Sequence, residues 1–385
     1  MRAGTVCAVS GQTAQLVETF FRAAVNGLVP YEPGKPIEEV RRELGLDRIV
    51  KLASNEGPYG PFPAALEALD RCSRELNRYP DGGSYLLRAA LAERHGVAFE
   101  EVAIGSGADG IIDCVSQAVL DPGDEIVCGW PSFASYPIVA RKLAARPVLV
   151  PLVDDRYDLD ALLGAIGPRT KLVYVCHPNN PTGTMNTRAE LDAYFERVPE
   201  HVLTVLDQAY FEYIDDLDYA DGIEEYAKAG CRVLVVRTFS KIYGLAGLRL
   251  GYGIGPPEVV TAIAKVRRAF DVSSPAQAAA LASLDAADEI ARRRRLNREG
   301  LAQLERSVRA AGYEPAGPAV GNFVYVDVGE DCRPLFDRLL SEGVIVRPLH
   351  GFGNECAIRV TVGTPEENDF FAAAFARVVS AVAGS

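Results

Sequence analysis

Val236-Arg237-Thr-Phe-Ser240-Lys241-Ile-Tyr-Gly-Leu-Ala-Gly-Leu-Arg249 runs from the end of an apolar stretch into a loop punctuated by glycine. A lysine just past a buried strand, among Ser, Thr and Gly, can form an imine with a carbonyl-bearing cofactor. Arg249, after the glycine loop, can return and hold a phosphate through two parallel hydrogen bonds. Taken alone, Lys241 is equally an ordinary surface lysine, so its reading depends on what surrounds it.

Outward from this stretch, apolar runs alternate with helical patterns between about residues 100 and 255. The runs fall at 101–105, 125–129, 171–176, 202–206, 232–237 and 248–253, with an amphipathic helix predicted over 111–120. Near-continuous apolar strands separated by helices predict a largely parallel sheet covered on both faces. After Pro275 a long helical region over 276–311 is rich in Ala, Leu and Arg. Its run Arg292-Arg293-Arg294-Arg295 has flanking acids and reads as a solvated helix face, not a nucleic-acid patch. Strands are predicted over 322–328, 344–347 and 356–362, with helices between and after, which makes an α+β second domain. There is no internal repeat and no low-complexity segment.

Other segments add to the lysine. Val205-Leu-Asp207-Gln208-Ala-Tyr210 ends an apolar strand in a carboxylate, which is costly to bury without a cation. A protonated pyridine nitrogen is such a cation, and holding it protonated makes the ring an electron sink. Tyr210 can donate to a phenolic oxygen on the same ring, although an acid ending a strand is more often a helix cap. Cys176-His-Pro-Asn179-Asn180-Pro-Thr-Gly183 is a sharp loop that can aim Asn180 at that oxygen; it is also plain turn chemistry. Asn77-Arg-Tyr79-Pro-Asp-Gly sets a tyrosine on a rigid turn, within reach of a phosphate. Gly105-Ser-Gly107-Ala-Asp-Gly110 matches the G-x-G-x-x-G pattern between a strand and a helix. A dinucleotide site also needs an acid at the end of the next strand, which reads Cys128-Gly-Trp130-Pro-Ser and has none. A single phosphate at a helix start fits as well, and so does a tight turn with no ligand.

The bulk numbers narrow the class. The chain has 385 residues, 48% hydrophobic and 24% charged, which suits a large globular domain with a smaller partner. A formal net charge of −12 argues against nucleic acid or an anionic membrane as main partner. The eight cysteines are scattered without a C-x-x-C and read as reduced, mostly buried thiols of a cytoplasmic protein. Four histidines without metal-ligand spacing leave no metal site to expect. No apolar run is long enough for a membrane span. Met1 to Thr13 lack the charged start and apolar core of a secretion signal, and read as a frayed tail.

Taken in order, these segments resemble the fold-type I aminotransferases, and in particular the histidinol-phosphate aminotransferase family with its aromatic-amino-acid relatives. The likeness runs from about Leu28 to Gly363 and is most specific over Arg237-Thr-Phe-Ser-Lys-Ile-Tyr-Gly-Leu-Ala-Gly-Leu-Arg249. Leu28-Val-Pro-Tyr31-Glu-Pro-Gly, Lys51-Leu-Ala-Ser-Asn55-Glu, Asn179-Asn-Pro-Thr-Gly, Gly321-Asn322-Phe-Val and Ile358-Arg359-Val-Thr-Val-Gly support it. The resemblance implies an α/β fold: a large domain with a mostly parallel seven-stranded sheet between helices, plus a smaller α+β domain. The large, cofactor-binding domain would span 49–286, and the small one 1–48 with 287–385.

It further implies pyridoxal 5'-phosphate as cofactor, bound as an imine to Lys241, with Asp207 on the pyridinium nitrogen. Asn180 and Tyr210 would hold the ring's oxygen, and Phe133 would stack on the ring. Ala108, Asp109, Thr238, Ser240 and Arg249 would bind the phosphate, which Tyr79 would reach from the neighbouring subunit of a homodimer with shared active sites. Tyr31, Asn55, Arg347 and Arg359 would face the substrate. The implied reaction moves an amino group from histidinol phosphate or an aromatic amino acid to a 2-oxo acid such as 2-oxoglutarate, by a ping-pong mechanism. Gln208 for the usual Glu, Gly57 for Asn, Asp271 for Asn and Phe133 for Tyr depart from relatives. They leave the ring contacts intact and bear on the substrate pocket. Those departures keep open decarboxylation, elimination or oxidation of an amino acid in specialised metabolism on the same scaffold. A nicotinamide-dependent oxidoreductase built on Gly105 to Gly110 would leave the Lys241 segment unexplained, and an intact site set argues against a non-catalytic binding protein.

Overall fold

The computed structural model describes residues 20–29 and 34–383. The expectations for Met1 to Thr13, Cys7 and Tyr31 lie outside the described residues. The chain forms a seven-stranded sheet flanked by helices, and a second, smaller core built from both ends of the described chain.

In chain order the strands are β1 (Val50–Lys51), β2 (Val102–Gly105), β3 (Glu125–Trp130), β4 (Arg146–Pro151), β5 (Thr170–Cys176), β6 (Leu203–Asp207), β7 (Val233–Thr238) and β8 (Gly251–Ile254). They are followed by β9 (Phe323–Asp327), β10 (Val344–Ile345), β11 (Arg347–Pro348) and β12 (Ala357–Thr361). The large sheet has the order β2-β8-β7-β6-β5-β3-β4. All its pairs are parallel except those of β8, which runs against β2 and β7. Every residue of β6 and β7 is buried, as strands covered by helices on both faces must be.

Register gathers the chemistry at one edge. Asp207, last in β6, lies opposite Cys176, last in β5, and opposite Val236 near the end of β7. The loops after these strands therefore bring Asn180, Tyr210 and Lys241 to the same carboxyl-end crevice, where open α/β sheets bind ligands. The helix Gly107–Val119 starts at that edge too, straight after β2.

In the smaller core, β9 and β11 flank β12 in an antiparallel sheet, while β1 pairs in parallel with β10. Val50 and Leu52 are buried there with Leu304, Val324, Val360, Phe371 and Phe375. The helices Ala287–Ala310 and Pro365–Ala383 cover it. Among the described residues no helix is long and apolar enough to cross a membrane.

The structure departs from the sequence reading in several places. β4 was not expected: two prolines interrupt its pattern, and it is tolerated because it forms the sheet edge. The predicted strand over 248–253 starts later, because Ala246–Leu248 forms a 3-10 turn and Arg249 takes a left-handed φ of 55°. The helical region after Pro275 breaks into Ser274–Ser283 and Ala287–Ala310. Arg293 is not on a solvated face: it is 4% exposed and donates to the carbonyls of Gly60 and Ile242 and to Glu289. Its neighbours give the reason, since a helix of this length turns one residue in the run toward the protein. The described cysteines are all free; Cys128, Cys176 and Cys332 are buried, and the other four are partly exposed.

Candidate active site

A cavity of about 180 Å³ opens at the carboxyl ends of β5, β6 and β7. It brings together Asn55, Ala108, Asp109, Phe133, Asn180, Asp207, Tyr210, Thr238, Ser240, Lys241, Arg249, Arg347 and Arg359, all of them expected from the sequence. Tyr79 is not among them: it is 83% exposed and stacks on Phe270 with ring centres 4.7 Å apart. A larger cleft of about 370 Å³ beside residues 153–160 is lined partly by surface ion pairs, Arg156–Glu190 and Arg197–Asp160, and holds none of these groups.

Lys241 Nζ lies 3.4 Å from the carbonyl oxygen of Ser54 and 5.5 Å from the ring centre of Tyr210. Burial lowers its pKa to about 7, and the charge of Arg359 adds to the effect. Near neutral pH much of this amine is therefore uncharged and nucleophilic. Gly57 presses on the lysine from behind, since a Cβ there would lie 2.8 Å from the Lys241 carbonyl oxygen.

Asp207 is 3% exposed. One carboxylate oxygen accepts from the backbone N–H of Ala209 at 3.0 Å, the other from the hydroxyl of Tyr136 at 2.7 Å. Burial raises its pKa to about 6, while both hydrogen bonds oppose the rise. A carboxylate kept this dry is best matched by a cationic N–H partner. Tyr210, also buried, accepts from Asn55 Nδ2 at 2.8 Å, and Asn55 is fixed in turn by Thr361. Asn180 offers its side-chain oxygen to Arg359, which also donates to the Ala53 carbonyl at 2.8 Å.

One end of the cavity is a cradle of small residues. Gly107 has a φ of 78°, and a Cβ on it would lie 2.7 Å from Arg249 Nη2, so glycine is needed twice over. Gly251 is as tight, with Ala108 N at 2.4 Å from its hypothetical Cβ. Thr238 and Ser240 share a 3.0 Å hydrogen bond, and Arg249 Nη1 lies 3.4 Å from Ser240 Oγ. Hydroxyls, a guanidinium and a helix start thus meet at one end of the cavity, with a buried carboxylate and a depressed lysine further along. That spacing of donor types fits pyridoxal phosphate, whose phosphate, aldehyde and ring nitrogen need those three partners.

Two arginines close the other side. Arg347 and Arg359 are paired across β11 and β12, and each guanidinium lies 5.4 Å from the ring centre of Phe352. Sequence reasoning missed Phe352, which sits in the 3-10 turn His350–Phe352 with no motif around it. It also missed Tyr136, near the start of the helix Ser135–Lys142, whose ring meets that of Phe133 edge to face at 5.6 Å. Of the remaining departures, Asp271 is ion-paired with Arg267 and does not line the cavity.

Tyr136 gives a prediction. Its hydrogen bond favours the ionised form of Asp207, so removing it raises that pKa further above about 6. Protonated Asp207 cannot pair with a cation and would accumulate at higher pH than in the parent. Tyr136→Phe is expected to weaken retention of pyridoxal phosphate about tenfold, with the larger loss at about pH 6 than at about pH 8. Equal losses at both pH values, read by equilibrium dialysis of the cofactor, would refute the assignment.

The comparisons agree with this geometry. A family model described as aminotransferase class I and II matches residues 47–375. The histidinol-phosphate aminotransferase of Moorella thermoacetica is 44% identical over 360 residues, covering 93% of both chains. Histidinol-phosphate aminotransferase 2 of Pseudomonas fluorescens is 46% identical over 358 residues, 92% of this chain and 96% of that one. Among solved structures, histidinol-phosphate aminotransferase from Sinorhizobium meliloti in complex with pyridoxal-5'-phosphate superposes with a TM-score of 0.84 at 30% identity. The match covers 98% of this chain and all of that one. With cradle, lysine and carboxylate all in place, the chain belongs to the class I and II aminotransferases and is a pyridoxal-phosphate-dependent enzyme.

Proposed function

We propose that the amino donor is histidinol phosphate, with aromatic amino acids as weaker donors, and that the acceptor is a 2-oxo acid such as 2-oxoglutarate. The observation that carries this is the facing pair Arg347 and Arg359 with the Phe352 ring against both. Two guanidiniums suit an anion that is a phosphate in one half-reaction and a carboxylate in the other. The names of the relatives at 44% and 46% identity point the same way and favour transfer over decarboxylation, elimination or oxidation.

Pyridoxal phosphate, when bound, supplies an electrophilic carbon and a ring that takes up the electron pair left at the substrate carbon. The protein's side chains do the rest. Thr238, Ser240, Arg249 and the backbone at Ala108 and Asp109 hold the phosphate, and Asp207 keeps the ring nitrogen protonated. Asn180 and Tyr210 orient the ring's oxygen, and Phe133 covers the ring face. Lys241 would hold the cofactor through its carbonyl carbon, and its Nζ, as a neutral amine, would take up and give back the proton moved in the reaction. Arg359 and Arg347, with Asn55 and Tyr31, orient the substrate.

The proposal extends to a cytoplasmic homodimer in which Tyr79 completes the partner's phosphate site. Exposed Tyr79, Leu76, Tyr85, Leu86 and Phe270 support it. It also divides the chain at 49–286 and 1–48 with 287–385; the two largest apolar clusters support a division, with Val50 and Leu52 packed in the smaller one and Ile290 and Phe323 in the larger.

The test is a half-reaction titration of the loaded enzyme, followed by absorbance, with histidinol phosphate and with phenylalanine and no acceptor. Faster conversion to the pyridoxamine form by histidinol phosphate is the expected result. Conversion by phenylalanine alone would reassign the donor, and conversion by neither would remove both.

A further inference from the structure

Behind the cavity lies a buried guanidinium that the mechanism does not use. Arg237 is 1% exposed, and its flat face covers the ring of Phe211 at 3.4 Å. Its Nη2 donates to Gln208 Oε1 at 2.9 Å and to Asp221 Oδ1 at 2.6 Å, while its Nε has no hydrogen-bond partner among the described residues. Gln208 is held at both ends of its amide: its Oε1 also accepts from the Gly222 N–H at 3.2 Å, and its Nε2 donates to the Ala220 carbonyl at 2.8 Å.

The place of these residues in the chain gives the network its meaning. Gln208 directly follows Asp207, and Arg237 directly precedes Thr238. The side-chain link from Gln208 to Arg237 thus ties the end of β6, which carries the ring-nitrogen carboxylate, to the end of β7, which carries the phosphate hydroxyls. The backbone bond from Gln208 N–H to Val236 O, 2.8 Å, ties them a second time. A buried guanidinium holds such a position only when an anion compensates it. Gln208 brings a dipole and no charge, so Asp221 supplies the carboxylate that is hydrogen-bonded in the ion pair, with the charge of buried Glu212 acting on the guanidinium as well. Asp221 is itself fixed, its Oδ1 accepting from the Ile223 N–H at 2.9 Å.

We propose that Asp221 is a positioning residue of the active site, which through Arg237 and Gln208 sets the span between Asp207 and Thr238 across which the cofactor is held. The inference rests on the cofactor assignment and not on which donor is used. Because Gln208 and Asp221 meet the same nitrogen of Arg237, a carboxylate at position 208 would also compensate the guanidinium, at the loss of the donation to the Ala220 carbonyl.

The experiment compares wild type, Asp221→Asn and the double variant Gln208→Glu with Asp221→Asn, as apoproteins titrated with pyridoxal phosphate, alongside their melting temperatures. Asp221→Asn is expected to raise the cofactor's Kd about tenfold or more, and the double variant to return it to within about threefold of wild type. An Asp221→Asn protein that melts lower but binds within about twofold of wild type has lost only structure, and overturns the proposal. So does a double variant no better than the single one. If Asp221→Asn does not fold, the double variant decides alone: wild-type-like binding upholds the proposal, and failure to fold or bind overturns it. A wild type that does not bind pyridoxal phosphate would instead sink the cofactor assignment on which it stands.

Discussion

Lys241→Ala is expected to lower kcat by about 10³–10⁴-fold and to abolish covalent capture of the cofactor, so that borohydride no longer fixes it to the protein. The size follows from two roles lost together, the imine link and the proton carrier. Both depend on an uncharged amine, which burial and the charge of Arg359 supply by lowering the pKa to about 7. Because a lowered lysine pKa means that the neutral form grows as pH rises, the capture rate of wild-type apoprotein should climb through about pH 7 and level off above it. Small primary amines added to Lys241→Ala should recover part of the proton transfer. Lys241→Arg should recover none, since a guanidinium stays protonated. An alanine variant that still turns over at a tenth of the wild-type rate would remove Lys241 from the mechanism.

Asp207→Asn is expected to come next, with kcat down by about 10²–10³-fold while the folded protein survives. The amide keeps the shape of the carboxylate and can still meet Tyr136 and Ala209, which hold the group on both oxygens. It loses the charge that keeps the ring nitrogen protonated, so electron withdrawal from the substrate carbon weakens. The half-reaction rate measures this directly, because cofactor loading can be made complete beforehand. An Asp207→Asn enzyme within about threefold of wild type in that step would show that ring protonation does not limit the reaction.

Much of this site was legible because its chemistry sits in contiguous motifs at strand ends. Asp207, Lys241 and Arg249 each follow or flank an apolar run whose strand character is plain, and the phosphate glycines announce themselves by spacing. Groups that act by tertiary placement were not legible. Tyr136 reaches Asp207 across 71 residues, Phe352 arrives on a short turn, and Asp221 meets Arg237 from a loop with no signature. Arg293 misled for the opposite reason: a run of like charges looks solvated, yet one turn of a helix places its members on different faces. The edge strand β4 was hidden by its prolines, which break the alternation used to find strands.

The pairing of β1 with β10 has a consequence for how the enzyme is made. Val50 and Leu52 are made long before Val344, which pairs with Val50, and before Arg359 and Thr361, which hold Ala53 and Asn55. The strands of the large sheet all lie between Val102 and Ile254, so that sheet can assemble while translation continues. A nascent chain halted at about residue 340 would carry Lys241 and Asp207 on a formed sheet and yet lack Arg347, Arg359 and the Thr361 that fixes Asn55. Contacts of such long sequence separation form late, so the site is complete only when the segment at Val50 to Asn55 meets the one at Val344 to Thr361.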